Sequence, residues 1–572
     1  MGLTLTVTDG PRVRELHRVV QDIQIHQVLS SGNLMKVCGI RDIPQNRWLN
    51  EKGMSARVTK IVQSMCASHT DNQRSMDGFT LLPNHDEDSW YLVKGEIEKE
   101  WNELEDVVRC IVFFTSKDFD DVCALPQILL YNASDAIDTD FLLRKVVPII
   151  KKLALELPTL FPDGKLRHLP AGSSARMSLT RRQVACLLSH MFLCTLTRPE
   201  WMHRDLYHDF RCWHFSELPS AHVYLETLLL YFKSFAEGMI DSDDTIEFSR
   251  KSLSTEETPT WNDVNLTDQI GVRVYGDIGD SPNEAEIDCA NRSAGFGKTG
   301  SQEEILLGTS SEACVLIWIF SSMEDQEAVS VKGAARISRC RGYGIDLQLL
   351  GREDQEGITK SQNRVIIAMD ALECDHFGSK YESMKFQLEP ANVSREMRKA
   401  YVAFSLASEL GLSVGVSALW GCGHYAGNPR LKFLLLWIAA SAANIRLDLC
   451  TYGDETYGEE IERVVKKYSG QKAAKLIEKV ENLRGKLTLE TMRFTPTSCS
   501  SHPLSLGVDV TNEKSVSSLD PVALSSSARV YPSITLTTFL QGNFGGAHTQ
   551  IEEVESSVVS RSQLKSSCDT PM

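Results

Sequence analysis

Between Ile287 and Ile305 the chain reads IDCANRSAGFGKTGSQEEI. Asp288 and Asn291 stand three residues apart, followed by the turn Gly295-Phe296-Gly297, four further residues, and Gln302-Glu303-Glu304. A glycine turn lets backbone N–H groups come close to a ligand. Two adjacent carboxylates just beyond it can supply an acid where a sugar bond must break. An exposed acidic pair opening a helix, favoured by the helix dipole, is the plainer reading of Glu303-Glu304. Asp288 and Asn291 read equally as turn residues. A second glycine loop, Gly421-Cys-Gly423-His-Tyr425-Ala-Gly427, stands before a helix expected to start near Arg430. Backbone donors and the helix dipole there suit a phosphate.

The elements that must position these residues alternate in type. Residues 90–240 read as mainly α-helical, with amphipathic runs at 142–157, 178–196 and 221–235. Pro148 marks a kink or a start in the first, and Ser178 a cap for the second. Such stripes are usually core. Beyond 245 strand-like segments (245–249, 272–275, 284–290, 328–331 and the buried run 364–370) alternate with helices at 393–410 and 431–443. A strand at 447–452 and a charged helix at 461–487, broken near Gly470, complete the pattern. This alternation predicts an α/β domain with helices on both faces of a sheet. Val13–Leu29 has helical spacing, and residues past 491, rich in Ser, Thr and Val, read as disordered.

Composition narrows the function classes. A 572-residue chain with 42% hydrophobic and 24% charged residues can build a sizeable core. A net charge of −16 disfavours general nucleic-acid binding, and no direct DNA contact is expected. Fifteen cysteines fall without a C-x-x-C pair. No metal and no cofactor are therefore expected. The longest apolar stretch, near 431–445, is too short for a bilayer, which needs about 20 residues. No signal-peptide pattern opens the chain, and a nuclear or cytoplasmic setting is expected. There is no G-x-x-x-x-G-K-[ST] loop and no G-x-S-x-G elbow.

The signature resembles that of poly(ADP-ribose) glycohydrolases, in which a glycine turn and a short loop precede Gln-Glu-Glu. The segments SLTRRQVACLLSHMFLCTL, LLLYFKSF, IEFSRKSL, GAARISRCRGYG, RVIIAMDAL, VSREMRKAYVAF, WGCGHYAGNPRLK and TYGDE resemble the family in the same order, over about 80–455. The resemblance implies a macrodomain-like α/β/α mixed-sheet core (245–490) preceded by an all-helical accessory domain (76–244). Residues 1–75 stay unassigned and 491–572 form the tail. It implies hydrolysis of ribose–ribose O-glycosidic bonds in poly(ADP-ribose), with that polymer and ADP-ribosylated proteins as partners.

By the same resemblance Glu304 is the acid that then activates water, and Glu303 holds ribose hydroxyls. Asn291 contacts a ribose hydroxyl and Asp288 orders the loop. Gly295, Phe296, Gly297 and Gln302 line the substrate. Gly421, Gly423, Tyr425 and Gly427 form the diphosphate loop. Tyr343 and Tyr452 lie on the adenosine side, with Asp280 near the adenine edge. Phe296 replaces the family's middle glycine, the spacer is shorter, and Leu419 replaces an Asn. If position 296 required positive φ, Phe would be strained there.

Overall fold

The structure, a computed structural model, describes residues 78–487, apart from 116–120, 123, 132–137, 276–277 and 279–282, together with 536–540. The expected helix at 13–29 lies outside the described residues, as does Asp280.

Among the described residues the strands are β1 Phe79–Leu81, β2 Lys165–Arg167, β3 Ala175–Thr180, β4 Thr245–Ser252, β5 Ile270–Arg273, β6 Ala285–Ala290, β7 Glu327–Lys332, β8 Ser338–Arg341, β9 Gln348–Arg352, β10 Val365–Asp370, β11 Val414–Ser417 and β12 Arg446–Cys450. Eight form one sheet in the order β3-β4-β7-β10-β6-β11-β12-β5. Strands β10, β6, β11, β12 and β5 run parallel, whereas β3, β4, β7 and β10 pair antiparallel. The run VIIAMD of β10 is buried at every position. That is the pattern of a strand covered on both faces.

One face packs on the helical region and the other on the C-terminal helices, giving two large apolar cores. Along β6, Ala290 belongs to the first core, and Ala285 and Ile287 to the second. The period-two alternation of a strand produces this division. Nine helices matter for the site and its supports: α1 Val147–Leu155, α2 Arg181–Phe192, α3 Pro219–Ala236, α4 Gln302–Gly308, α5 Lys380–Gln387, α6 Pro390–Glu409, α7 Pro429–Ala443, α8 Glu455–Tyr468 and α9 Ala474–Lys486.

The helical region departs from expectation in one respect: it also carries β1, β2 and β3, and β3 forms the edge of the main sheet. Ser178 lies in that strand, and Thr180 caps α2 with a full capping box to Gln183. Pro148 lies just after a π-helical turn, Leu142–Val146, that runs directly into α1, the kind of local widening by which a helix takes in a proline. Gly470, at φ +74°, separates α8 from α9. Within the tail expected to be disordered, Leu536–Leu540 forms a short helix, α10. Leu536 and Phe539 are buried in the second core, and the Leu536 N–H donates to Glu460 Oε2 at 2.7 Å. Among the described residues no helix is long and apolar enough to cross a membrane.

Candidate active site

The site forms where β6 and β11 end and their loops meet. Asp288, near the end of β6, is fully buried, and neither carboxyl oxygen has a hydrogen-bond partner. Burial raises its pKa to about 8. Ser301 caps the short α4 and places Glu303 and Glu304 in its first turn. Glu303 accepts the N–H of Asn291 (3.0 Å) and of Gly295 (2.9 Å), one on each oxygen. Burial, and next the charge of Asp288, push Glu303 well above the ordinary carboxyl range, against those two N–H donors.

Glu304 is held differently. Its Oε2 accepts Thr299 N (2.9 Å), Thr299 Oγ1 (2.6 Å) and Ser301 N (3.0 Å). A Cβ on Gly297 would collide with its carboxylate, so a glycine is needed there. Gln302 Oε1 accepts the Cys289 N–H at 2.8 Å, tying α4 to β6 instead of facing outward.

Phe296 does not reach toward a ligand. It is 3% exposed and packs against Phe210 and Trp213, with ring centroids 5.1 and 5.2 Å away. The expectation of a substrate contact is corrected: this ring anchors the turn in the helical region. Trp213 Nε1 donates to Gly297 O (2.7 Å) and Ser220 Oγ to Lys298 O (2.5 Å), completing the anchor. Phe296 is absent from the positive-φ residues, so no backbone strain arises. The left-handed position is Gly300, at φ +81°. A Cβ there would lie 2.7 Å from Gly344 N, which itself donates to Gly300 O at 3.0 Å. Sequence reading passed over Gly300, although a glycine directly before a Ser-x-x-Glu cap was a usable signal.

That contact sets Tyr343, 46% exposed on the β8–β9 connection, beside the signature loop. Tyr452 lies past β12 at φ +48°, against the small cluster of Ile278, Val416, Ala418 and Cys450. Tyr425 bridges the two glycine loops: Asn291 Nδ2 donates to its hydroxyl at 3.0 Å. Burial, followed by the charge of Glu303, raises the phenol's pKa.

In the second loop Gly421 has φ +70°, and its N–H donates to the Cys289 thiol. A Cβ on Gly421 would meet Ala371 Cβ at 2.5 Å and Lys432 Nζ at 3.1 Å. Gly427 N–H closes the loop on Gly421 O at 2.8 Å, whereas Gly423 faces open space. Asn428 Oδ1 accepts the N–H groups of Arg430 (3.0 Å) and Leu431 (3.1 Å). The first turn of α7 is therefore capped from within, and an anion would meet the loop backbone before the helix end. Lys432, buried beneath the loop, pairs with Glu396 and lies 4.2 Å from the Trp420 ring centroid. Burial lowers its pKa to about 7. A lone Lys inside an apolar helix was the signal for this support. Leu419 is partly buried against the second core. Among the described residues no group of His, Cys and carboxylates could hold a metal.

A mixed sheet between two helical layers, with paired carboxyls and a glycine loop at the ends of its parallel strands, defines a macrodomain-type architecture. The family models agree. Residues 258–459 match the macro domain fold of poly(ADP-ribose) glycohydrolase, and residues 135–250 match that family's helical domain, together just over half of the chain. The chain belongs to the poly(ADP-ribose) glycohydrolase family, as a divergent member. It is 26% identical over 362 residues to poly(ADP-ribose) glycohydrolase 1 of Caenorhabditis elegans, covering 60% of this chain and 44% of that protein. It is 28% identical over 263 residues to glycohydrolase 2 of the same organism, covering 42% and 53%. The chain thus spans about half the length of these curated relatives. A solved poly(ADP-ribose) glycohydrolase from Deinococcus radiodurans in complex with ADP-ribose is 17% identical. The match covers 35% of this chain and 84% of that one at a TM-score of 0.23, too low to carry weight.

Proposed function

We propose that this chain hydrolyses the ribose–ribose O-glycosidic bonds of poly(ADP-ribose), releasing ADP-ribose. The observation that carries this reading is the meeting of Asp288, Asn291 and Glu303 with Tyr425 of the second glycine loop. Buried carboxyls sit where a distal ribose would lie if the diphosphate occupied residues 421–427. Breaking the C1″–O bond requires a proton on the leaving ribose oxygen and leaves an oxocarbenium-like sugar. Glu304 supplies that proton and then, as carboxylate, takes one from the water that attacks C1″. Glu303 holds the ribose hydroxyls. The three loop donors to Glu304 all reach Oε2, which leaves Oε1 as the oxygen that carries the proton. The substrate would be carried on ADP-ribosylated proteins in the nucleus or cytoplasm, in the DNA damage response.

A second reading is an ADP-ribose-binding module without turnover, favoured by the engagement of Glu304 in its own loop. Release of ADP-ribose from labelled polymer by the native chain, Glu303→Gln and Glu304→Gln tests both. Turnover lost in Glu304→Gln, with ADP-ribose still bound by calorimetry, supports the hydrolase. Absence of turnover in the native chain despite binding establishes the module.

A further inference from the structure

Next to the candidate site, on the β10 side of β6, lies a cavity of about 450 Å³ lined by Arg292, Asp370, Phe386, Arg395 and Arg398 among others. An adjoining cavity of about 470 Å³ shares Phe386 and is lined by His376 and Phe377. Both fall in the size range of small-molecule sites. They share a wall with the glycine loops. Arg292 directly follows Asn291, Ala371 supports Gly421, and Cys374 N–H donates to Tyr425 O at 2.9 Å.

The charges along this groove are unevenly used. Arg395 is saturated by Asp325 (3.1 Å), Asp370 O (2.8 Å) and Glu396 (2.6 Å). The Asp370 carboxylate also takes Lys399 at 2.7 Å. Asp325 and Asp370 are thereby neutralised. Arg292 spends Nε on Met323 O (2.9 Å), with Asp325 feeling its charge. Arg398 has a buried Nε without a partner. Among the described residues neither arginine makes an ion pair. Glu373, exposed at the rim, is the carboxylate left over. A buried guanidinium donor left unmatched is costly unless an anion or water meets it. Beside these cations, Phe377 and Phe386 lie 5.0 Å apart at 42°, and His376 lies 4.2 Å from Phe377. Both phenylalanines are only partly buried. The open faces of partly buried rings can stack on bases, and guanidinium groups bind diphosphates bidentately.

We propose that this groove is a second nucleotide subsite, which takes the adenosine diphosphate moiety of a neighbouring ADP-ribose unit while the terminal unit occupies the candidate active site. The inference rests on the function proposed above and adds a preference for polymer over monomer. Two linked contacts on one ligand strengthen binding through effective concentration. A free nucleoside diphosphate shares the same chemistry, so both forms enter the test.

The test uses the full chain carrying Glu304→Gln to stop turnover. Fluorescence polarisation measures labelled ADP-ribose and a labelled three-unit oligomer, and calorimetry measures ADP. The oligomer is expected to bind about tenfold more tightly than ADP-ribose. Arg398→Gln and Phe386→Ala should each erase that advantage and leave ADP-ribose affinity unchanged. Glu373→Lys should enlarge it, a gain that misfolding cannot mimic. An oligomer no tighter than ADP-ribose, or an advantage that survives both variants, overturns the subsite. So does ADP binding that depends on Arg398 without any oligomer advantage, which would mark a free-nucleotide site. Failure of the proposed function shows itself separately, as no binding of ADP-ribose at all, and the inference falls with it.

Discussion

The two glycine loops are held by opposite means. The first is clamped by apolar packing: Phe296 is sunk between Phe210 and Trp213, and the backbone around it is hydrogen-bonded to Trp213, Ser220 and Glu303. The second rests on buried charge, Lys432 against Glu396, with a left-handed glycine above it and an open glycine at its tip. Packing fixes where carboxyls sit to a fraction of an ångström, as acid catalysis requires. A charged floor under a loop leaves its upper surface for a ligand. On the function proposed, the first loop carries the chemistry and the second the binding, and kinetics can separate the two roles.

The sharpest break would come from the carboxyls. Glu304→Gln should lower kcat for ADP-ribose release by about a hundred- to ten-thousandfold, with KM little changed. A KM effect alone would remove the distinction between the loops. Next, Phe296→Ala should cost about 3–5 kcal/mol, read as a lowered denaturation midpoint, because it empties a packed aromatic site. Gly423→Ala, at the open tip of the other loop, should change stability by less than about 0.5 kcal/mol. Gly421→Ala should cost about 1–3 kcal/mol, from positive φ and the clash with Ala371, and should weaken ADP-ribose binding in calorimetry.

Asp288 gives a pH signature. Its folded pKa of about 8 lies above the unfolded 3.8, so the folded state holds a proton that the unfolded state has lost between those values. Stability attributable to Asp288 therefore declines as pH rises from about 4 to about 8. Melting temperatures of native chain and Asp288→Asn should move in the variant's favour from pH 5 to pH 8. A gap constant with pH would show Asp288 ionised in the fold. A modest effect is expected from Tyr425→Phe, which should weaken ADP-ribose binding by about 0.5–1.5 kcal/mol through the lost Asn291 hydrogen bond.

Much of this arrangement was legible in the chain. The buried run 364–370 and the helices at 393–410 and 431–443 announced themselves by period and length, and the structure places β10, α6 and α7 there. Gln302-Glu303-Glu304 and the second glycine loop were found by residue type and spacing. What escaped depended on long-range packing. Nothing local reveals that Phe296 turns into the helical region, because its partners Phe210 and Trp213 lie more than eighty residues earlier. Ala313–Phe320, simply apolar in sequence, is mostly a 3₁₀ turn, Ser311–Trp318, buried between layers. The strand β3 was hidden because Ser178 resembled a helix cap, while the sheet's need for an edge partner decided otherwise. The roles within the Glu pair depend on which donors surround each carboxylate, and adjacent identical residues carry no such information.

The edge strand β3 has a consequence for how such a protein can be inherited and cut. It pairs with β4, and β4 with β7, so strands from both sides of the connection near residue 250 are laced into one sheet. A protease nick between β4 and β5 would leave two fragments still clasped together, and neither half could be exchanged for a foreign counterpart without rebuilding that seam. The matched helical and macro-fold segments are therefore joined by sheet hydrogen bonds as well as by the chain.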